Sequence, residues 1–318
     1  MIKQLEDHYG KNVQYSLLAT SRNIGVFKNQ LYFSKTYNLF KIKDILTLIF
    51  SFKKYDIVID VEEYFMISAF MSMWLGKINI GYNNIKLRGL VYVGSCKYSE
   101  KQHNLINCLN LLTKLGINIY KPEYMEKIIY KEKDKINIDN FFKQFNNQKI
   151  ICLHTGGAET APDRFRSNDN RIKLIENLIK QYGDEIIILL SGTKFEEKGV
   201  KEIIINLGQH NNIINICGMF NLFEFAYLIE KCSLMISNDT GPMHLAAAMG
   251  TKTIGLFGPN LPILFGPWPL DKNIGFYKGN GEIYIKPHQG IFKKDNENNI
   301  NKITHKEIFT LINNFLGK

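Results

Sequence analysis

The 318-residue chain sets 40 lysines and arginines against 30 acids, a formal net charge of +10, with 45% hydrophobic and 22% charged residues. That balance excludes a disordered chain and supplies apolar material for about two domains. No apolar run reaches the roughly 18 residues of a membrane span, and the opening MIKQLEDHYG lacks the apolar core of a secretory signal.

Apolar runs alternate with helical patterns, as in parallel α/β folds. VQYSLLA (13–19) predicts a strand, KIKDILTLIFSF (41–52) a helix and YDIVIDV (55–61) a strand. EYFMISAFMSMWL (63–75) predicts a helix, buried rather than a membrane wedge, and GLVYVG (89–94) a further strand. HNLINCLNLLTKLG (103–116) predicts a helix with Leu105, Cys108, Leu109 and Leu112 on one face and Gly116 as its stop. Residues 120–148 are rich in Lys, Asp and Asn and hold no sustained period, so they read as a connection. The expected domains are 1–120 and 149–318, with a linker over 121–148. Beyond it, IICLHTG (150–156), EIIILLSG (185–192), IINIC (213–217), SLMIS (233–237) and TIGLF (253–257) predict five strands. Helices are predicted over 169–182, 197–208, 221–231 and 242–249, and a last one over 305–317. Such an open sheet binds ligands beyond the carboxyl ends of its strands.

Other classes are thinly supported. Arginine occurs only at Arg22, Arg88, Arg164, Arg166 and Arg171, leaving 35 lysines in a chain also rich in Asn and Ile. The surplus charge therefore follows composition, and no nucleic-acid partner is expected. The five cysteines are scattered, without a C-x-x-C, and read as reduced residues of a cytoplasmic protein. The seven histidines show no metal-ligand spacing, so no metal is expected. No G-x-G-x-x-G follows a strand, which argues against a nicotinamide enzyme.

Chemistry concentrates in SNDTGPMHLAAAMGTKTIGLFGPNLPILFGPW (237–268). A strand ends, Asn238-Asp239-Thr240-Gly241 turns, and Pro242 suits the first turn of a helix of small residues that Gly250 stops. The N–H groups of Thr240, Gly241 and Met243 are expected to point out of the helix start, an anion site suited to a diphosphate. Asp239 suits sugar hydroxyls, and His244 lies in the first helical turn. On physics alone the stretch is equally a well-capped βαβ unit, with Asp239 or Thr240 as the cap and His244 at the core edge.

These residues resemble the signature of glycosyltransferase family 9, the lipopolysaccharide heptosyltransferases. The match runs through Ser237, Asp239-Thr240-Gly241, His244 to Ala248, Gly250, Phe257-Gly258-Pro259 and Gly266-Pro267-Trp268. YDIVIDV, NIGY (79–82), KLGI (114–117), HTGGAE (154–159) and CGMFNLFEFAYLIEKC (217–232) resemble further elements of the family. The resemblance implies an α/β fold of two facing Rossmann-like domains, the GT-B architecture. The second would hold a nucleotide sugar, typically ADP-heptose, and the first a lipid A–core saccharide acceptor. Asp239 would bind the sugar, Thr240, Gly241, Pro242 and Met243 the diphosphate, and Thr155 and Gly156 the nucleotide-phosphate loop. No cofactor or metal is implied, since helix terminus and basic side chains stabilise the leaving diphosphate.

Three departures stand out. Where the family carries a phosphate-binding lysine, this chain has PDRFRSNDNR (162–171), and Arg164 or Arg166 is the expected replacement, against a solvated helix entry. Lys194 stands where the family's ribose-binding acid is expected, making Glu196 the next candidate unless it is only a helix N-terminal charge. The opening residues resemble the end of the family's first helix. The first domain is therefore expected to lack its first strand and the G-x-x-G-D loop that carries the general base. Asp60 is a weak substitute beside Glu62 and Glu63, and more simply starts the following helix.

The expected function is an inverting, metal-independent transfer of a sugar from a nucleotide diphosphate to a lipopolysaccharide core acceptor. The alternative is an impaired relative that only binds nucleotide sugar. The expected location is cytoplasmic, with transient contact to the inner face of the inner membrane.

Overall fold

The computed structural model describes residues 1–145, 147–156, 167–279, 285–286, 291–292 and 299–317. Packing divides the chain into two units, Met1–Pro122 with Lys286–Ile291, and Glu123–Ile285 with Phe292–Lys318.

The first unit runs α1 (Ile2–Tyr9), β1 (Tyr15–Ala19), β2 (Phe33–Asn38), α2 (Ile42–Ile49), β3 (Tyr55–Ile59), α3 (Met66–Leu75), β4 (Gly76–Tyr82), α4 (Lys86–Val91), β5 (Gly94–Cys96) and α5 (Asn104–Asn110). A tight turn follows α5 and stops at Gly116, whose φ of 77° is the left-handed value glycine adopts without strain. All paired strands are parallel, yet they form two ladders, β1–β2 and β3–β4–β5. Among the described residues, no backbone ladder joins β1 to β3. Their side chains nevertheless meet in two clusters: Tyr15 and Ile59 share the Leu5–Leu109–Leu112–Ile117 cluster. Leu18, Tyr55 and Val58 share the Tyr37–Leu48–Leu75 cluster.

The stretch GLVYVG, expected as a strand, is divided between α4 and β5. The reason lies in Arg88, in the last turn of α4, and Tyr92, at its C-terminal cap, which converge on one carboxylate. Arg88 is fully buried. It pairs with Asp60 at 3.2 Å and donates to the Phe65, Glu62 and Tyr82 carbonyls. Tyr92 donates to the same Asp60 carboxylate at 2.5 Å. An extended strand would hold residues four apart on one face but roughly 13 Å from each other, whereas a helical turn brings them within about 6 Å along the axis. Gly81 makes room, because a Cβ there would overlap the Tyr92 ring. Helix α3 is not the wholly buried helix expected: Ala69, Ser72 and Leu75 are buried, while Phe70, Met73 and Trp74 are exposed.

The second unit contains α6 (Glu132–Phe142), β6 (Lys149–His154), α7 (Asn168–Tyr182), β7 (Ile186–Ser191), α8 (Glu197–Leu207), β8 (Ile213–Asn215), α9 (Leu222–Glu230), β9 (Leu234–Asn238), α10 (Gly241–Met249), β10 (Thr253–Phe257), α11 (Pro262–Phe265) and β11 (Ile274–Tyr277). A short pair β12 (Ile285–Lys286) and β13 (Ile291–Phe292) precedes α12 (Asn299–Lys302) and α13 (His305–Leu316). The stretch expected as a linker holds α6, which belongs to this unit. Asp139 of α6 accepts from Tyr227 and pairs with Lys231 at 2.9 Å, and Asn137 donates to Glu224 of α9. Its sequence is polar because only one stripe, around Ile138, is buried.

Six parallel strands lie in the order β11-β10-β9-β6-β7-β8. The chain runs outward from β6 to β8, returns beside β6 as β9, and runs outward again to β11. The strands are continuous apolar runs because helices cover them. Ile151, Ile188, Leu234 and Ile236 are wholly buried, against Leu174 and Leu178 of α7 and Ile308 and Ile312 of α13. Helix α13 starts at a reciprocal cap: Thr304 accepts from the Glu307 N–H, and Glu307 from the Thr304 N–H. No helix among the described residues is long and apolar enough to cross a membrane.

Candidate functional site

The reversal of strand order between β6 and β9 opens a crevice at their carboxyl ends, the place where sheets of this kind hold ligands. Thr155 and Gly156 follow β6, Gly192 to Glu196 follow β7, and Asp239 to Met243 follow β9. Adjacent parallel strands put these three loops side by side.

Hydrogen bonds lock them. The Asn238 amide donates to the Gly156 carbonyl at 3.3 Å, which ties the ends of β9 and β6. The Thr155 N–H and hydroxyl both donate to the Ser191 carbonyl, tying β6 to β7. Arg171, in the first turn of α7, reaches under the loop and donates to the Thr155 carbonyl at 2.7 Å. Burial lowers the Arg171 pKa to about 10, with Glu196 pulling the other way. His154 lies beside the Ser191 hydroxyl at 3.1 Å and is held neutral, its pKa lowered to about 4 by burial, opposed by Glu196 and reinforced by Arg171. The floor of the crevice thus carries one buried cation, one neutral imidazole and one carboxylate.

Glu196 serves two positions at once. Its Oε2 accepts from the Thr193 N–H at 2.6 Å and hydroxyl at 2.8 Å, closing a capping box. It also lies against Gly156, where a Cβ would meet the carboxylate and displace it from this position. Lys194 turns instead to Glu197 at 3.1 Å. Glu197 is held below the usual carboxylate range by hydrogen bonds from Lys201 and Lys194.

At the start of α10, Thr240 occupies the cap position, but its side chain makes no capping bond; its hydroxyl sits 3.1 Å from Ser237. The Asp239 carboxylate accepts from the Asn260 amide at 2.5 Å, in the turn after β10. The Thr240 and Gly241 N–H groups donate to no backbone carbonyl among the described residues. N–H groups without backbone acceptors, the helix dipole and Gly241 without a side chain suit this turn to an anion. Met243 departs from expectation: its N–H is spent on the Thr240 carbonyl at 3.1 Å, and its buried side chain packs over Gly255. Pro242 has no N–H and fixes the first turn. His244 is half-buried in that turn.

The structure therefore gathers Thr155, Gly156, Glu196, Asp239, Thr240 and Gly241 around one crevice. Arg164 and Arg166 lie outside the described residues. Asp60 belongs to the first unit, where both its oxygens are engaged: Oδ1 accepts from the Glu62 N–H, and Oδ2 faces Arg88 and Tyr92. Sequence reasoning missed His154, Ser191, Asn238 and Asn260, and passed over Arg171. The available signal was a polar residue ending an apolar strand, at Asn238, and a scarce arginine in a first helical turn. Among the described residues, no three His, Cys, Asp or Glu side chains group as a metal site.

Comparison with known proteins decides the lineage. Residues 50–282 match the model of glycosyltransferase family 9 (heptosyltransferase). The chain belongs to that family. Over 276 residues it is 24% identical to lipopolysaccharide heptosyltransferase 1 of Campylobacter coli, covering 81% of this chain and 79% of that one. In fold it resembles the crystal structure of the family 9 glycosyltransferase of Veillonella parvula, with a TM-score of 0.82 at 16% identity, covering 99% of this chain and 91% of the other. It also resembles the E. coli ADP-heptose lps heptosyltransferase II, with a TM-score of 0.73 at 18% identity and coverages of 99% and 92%. As a family 9 glycosyltransferase it shares the α/β, Rossmann-like GT-B fold expected from the sequence.

Proposed function

We propose that this family 9 glycosyltransferase moves a heptose from ADP-heptose to a lipopolysaccharide core saccharide, with inversion at the anomeric carbon. The single observation carrying this reading is the bridged crevice. Asn238 fixes the β6 and β9 loops together, beside open N–H groups for a diphosphate and an Asn260-held Asp239 for sugar hydroxyls. In this reading Glu196 lies beside the nucleotide ribose, Thr155 and Gly156 line the phosphate path, and Arg164 or Arg166 takes the role of the family's phosphate-binding lysine. The nucleotide sugar is a substrate, no cofactor or metal takes part, and leaving-group charge is met by the helix start and arginines. The enzyme works in the cytoplasm on an acceptor anchored at the membrane surface.

Asp239→Ala is expected to reduce transfer by about 10²–10³-fold, as loss of a preorganised group at a reacting centre does. ADP binding should persist. A donor-and-acceptor assay beside ADP calorimetry tests both, and near-normal turnover in the variant would remove the reading.

A second reading, a relative that binds nucleotide sugar without transferring it, is favoured by one observation: Asp60 is committed to Arg88 and Tyr92 instead of standing open as a base. ADP binding with no turnover on any heptose acceptor would support this reading over the first.

A further inference from the structure

One face of the first unit carries apolar side chains that stay exposed among the described residues. Helix α2 buries only Leu48, while Ile42, Leu46 and Ile49 point outward at helical spacing. The chain then places Phe50 and Phe52 in the open, Phe50 at 85% exposure. Helix α3 brings its own outward face beside them. The Trp74 indole N–H donates to the Ile49 carbonyl at 2.9 Å, and the Trp74 and Phe52 rings lie 4.6 Å apart. Lys53 donates to the Met73 and Gly76 carbonyls, fastening the loop to the end of α3. Ile49, Phe50, Phe52, Met73 and Trp74 are thus a built surface in which a polar bond orients the indole. Contiguous exposed patches of this kind mark interaction surfaces.

Charge selects the partner. Residues 41–54 contain four lysines, Lys41, Lys43, Lys53 and Lys54, against one acid, Asp44. Asp44 is occupied by the Asn38 N–H, and nearby Asp56 pairs with Lys77 at 2.7 Å. The exposed Lys41, Lys43 and Lys54 leave a cationic rim around an aromatic centre. Two copies meeting through this patch would oppose lysine to lysine. A surface of anionic headgroups over acyl chain complements both parts, with aromatic residues at the boundary and lysine heads among phosphates.

We propose that the α2–α3 corner is a docking surface for an anionic lipid bilayer. It rests on the reading above only in naming a membrane-anchored acceptor; the docking is a property of the patch itself. The weak point of single-signal anchoring is met by two signals here, apolar insertion and a polybasic rim.

Flotation of the full chain with phosphatidylcholine vesicles, with and without phosphatidylglycerol, tests it. Binding is expected only with the anionic lipid and should weaken with salt. The exposed double substitution Phe50→Asp/Phe52→Asp should lower partition at least about tenfold. Lys41→Gln, Lys43→Gln and Lys54→Gln should each lower it by about fivefold. ADP calorimetry and thermal melts on the same variants should match wild type, which separates docking from folding and from the nucleotide site. The proposal is overturned if wild type ignores anionic vesicles or if the double variant floats unchanged. It is equally overturned if light scattering shows a lipid-free dimer that the double substitution dissolves. Docking without sugar transfer would leave this proposal standing and remove the transfer reading alone.

Discussion

The two units solve the same architectural problem with different means. In the second, β6 lies at the centre and ladders run from it on both sides, so six strands share one continuous backbone network. In the first, no strand among the described residues joins the β1–β2 and β3–β4–β5 ladders, and side-chain clusters connect β1 to β3. The consequence is visible in burial. All six residues of β7 are buried, whereas no residue of β3 is. Within the β3–β4–β5 piece, the buried Arg88–Asp60–Tyr92 clasp fastens α4 to the ends of β3 and β4 and to the start of α3. A parallel sheet draws its stability from being covered and continuous; where it is interrupted here, apolar side-chain clusters join the pieces.

Breaking the clasp should have the largest effect. Arg88→Ala leaves Asp60 buried beside Tyr92 without its cation and is expected to cost about 3–5 kcal/mol. Hydrogen exchange should show the loss in β3–β5 and spare β6–β10. Equal loss in both units would erase the contrast drawn between them.

Trimming equivalent apolar residues sharpens the same contrast. Ile151→Ala, in fully buried β6, should cost about 2–5 kcal/mol by denaturant melting. Ile57→Ala, in half-buried β3, should cost about 1 kcal/mol or less, since little burial is lost. Similar costs would mean that the first unit is as tightly covered as the second.

His154 adds a pH slope that originates in the second unit. His154 has a folded pKa of about 4 against an ordinary 6.5, because burial disfavours the imidazolium. Between those values the unfolded chain binds the additional proton, so stability rises with pH across that window. It is complete above pH 6.5 and declines on acidification toward 4. Melting of His154→Asn against pH should show that slope reduced, while any slope from the first unit persists.

Legibility followed the same division. The strands β6, β7, β9 and β10 were readable because central parallel strands are written as unbroken apolar runs. Strand β2, FSKTYN, has only β1 beside it and stays half-polar, and it escaped notice; β11, IGFY, is a short edge strand and did too. GLVYVG misled because local β preference was overruled by the pull of Arg88 and Tyr92 toward one carboxylate. Residues 121–148 read as a linker because a helix that buries a single narrow stripe leaves no strong period. At the site, Asp239, Thr240 and Gly241 were marked by their turn chemistry. Asn260 was not, since only folding brings the turn after β10 to the carboxylate after β9.

The sequence by itself determined the fold class, the family and the turn at which an anion seat forms, because these depend on local patterns: apolar runs, a glycine turn and a proline in a first helical turn. Tertiary structure alone decided which polar groups are spent and which stay open. Asp60 and the Met243 N–H are engaged, the Thr240 and Gly241 N–H groups lack backbone acceptors, and Phe50 and Trp74 face solvent. Those outcomes depend on what lies across space from each group, and partners distant in sequence meet only when the sheet brings them together.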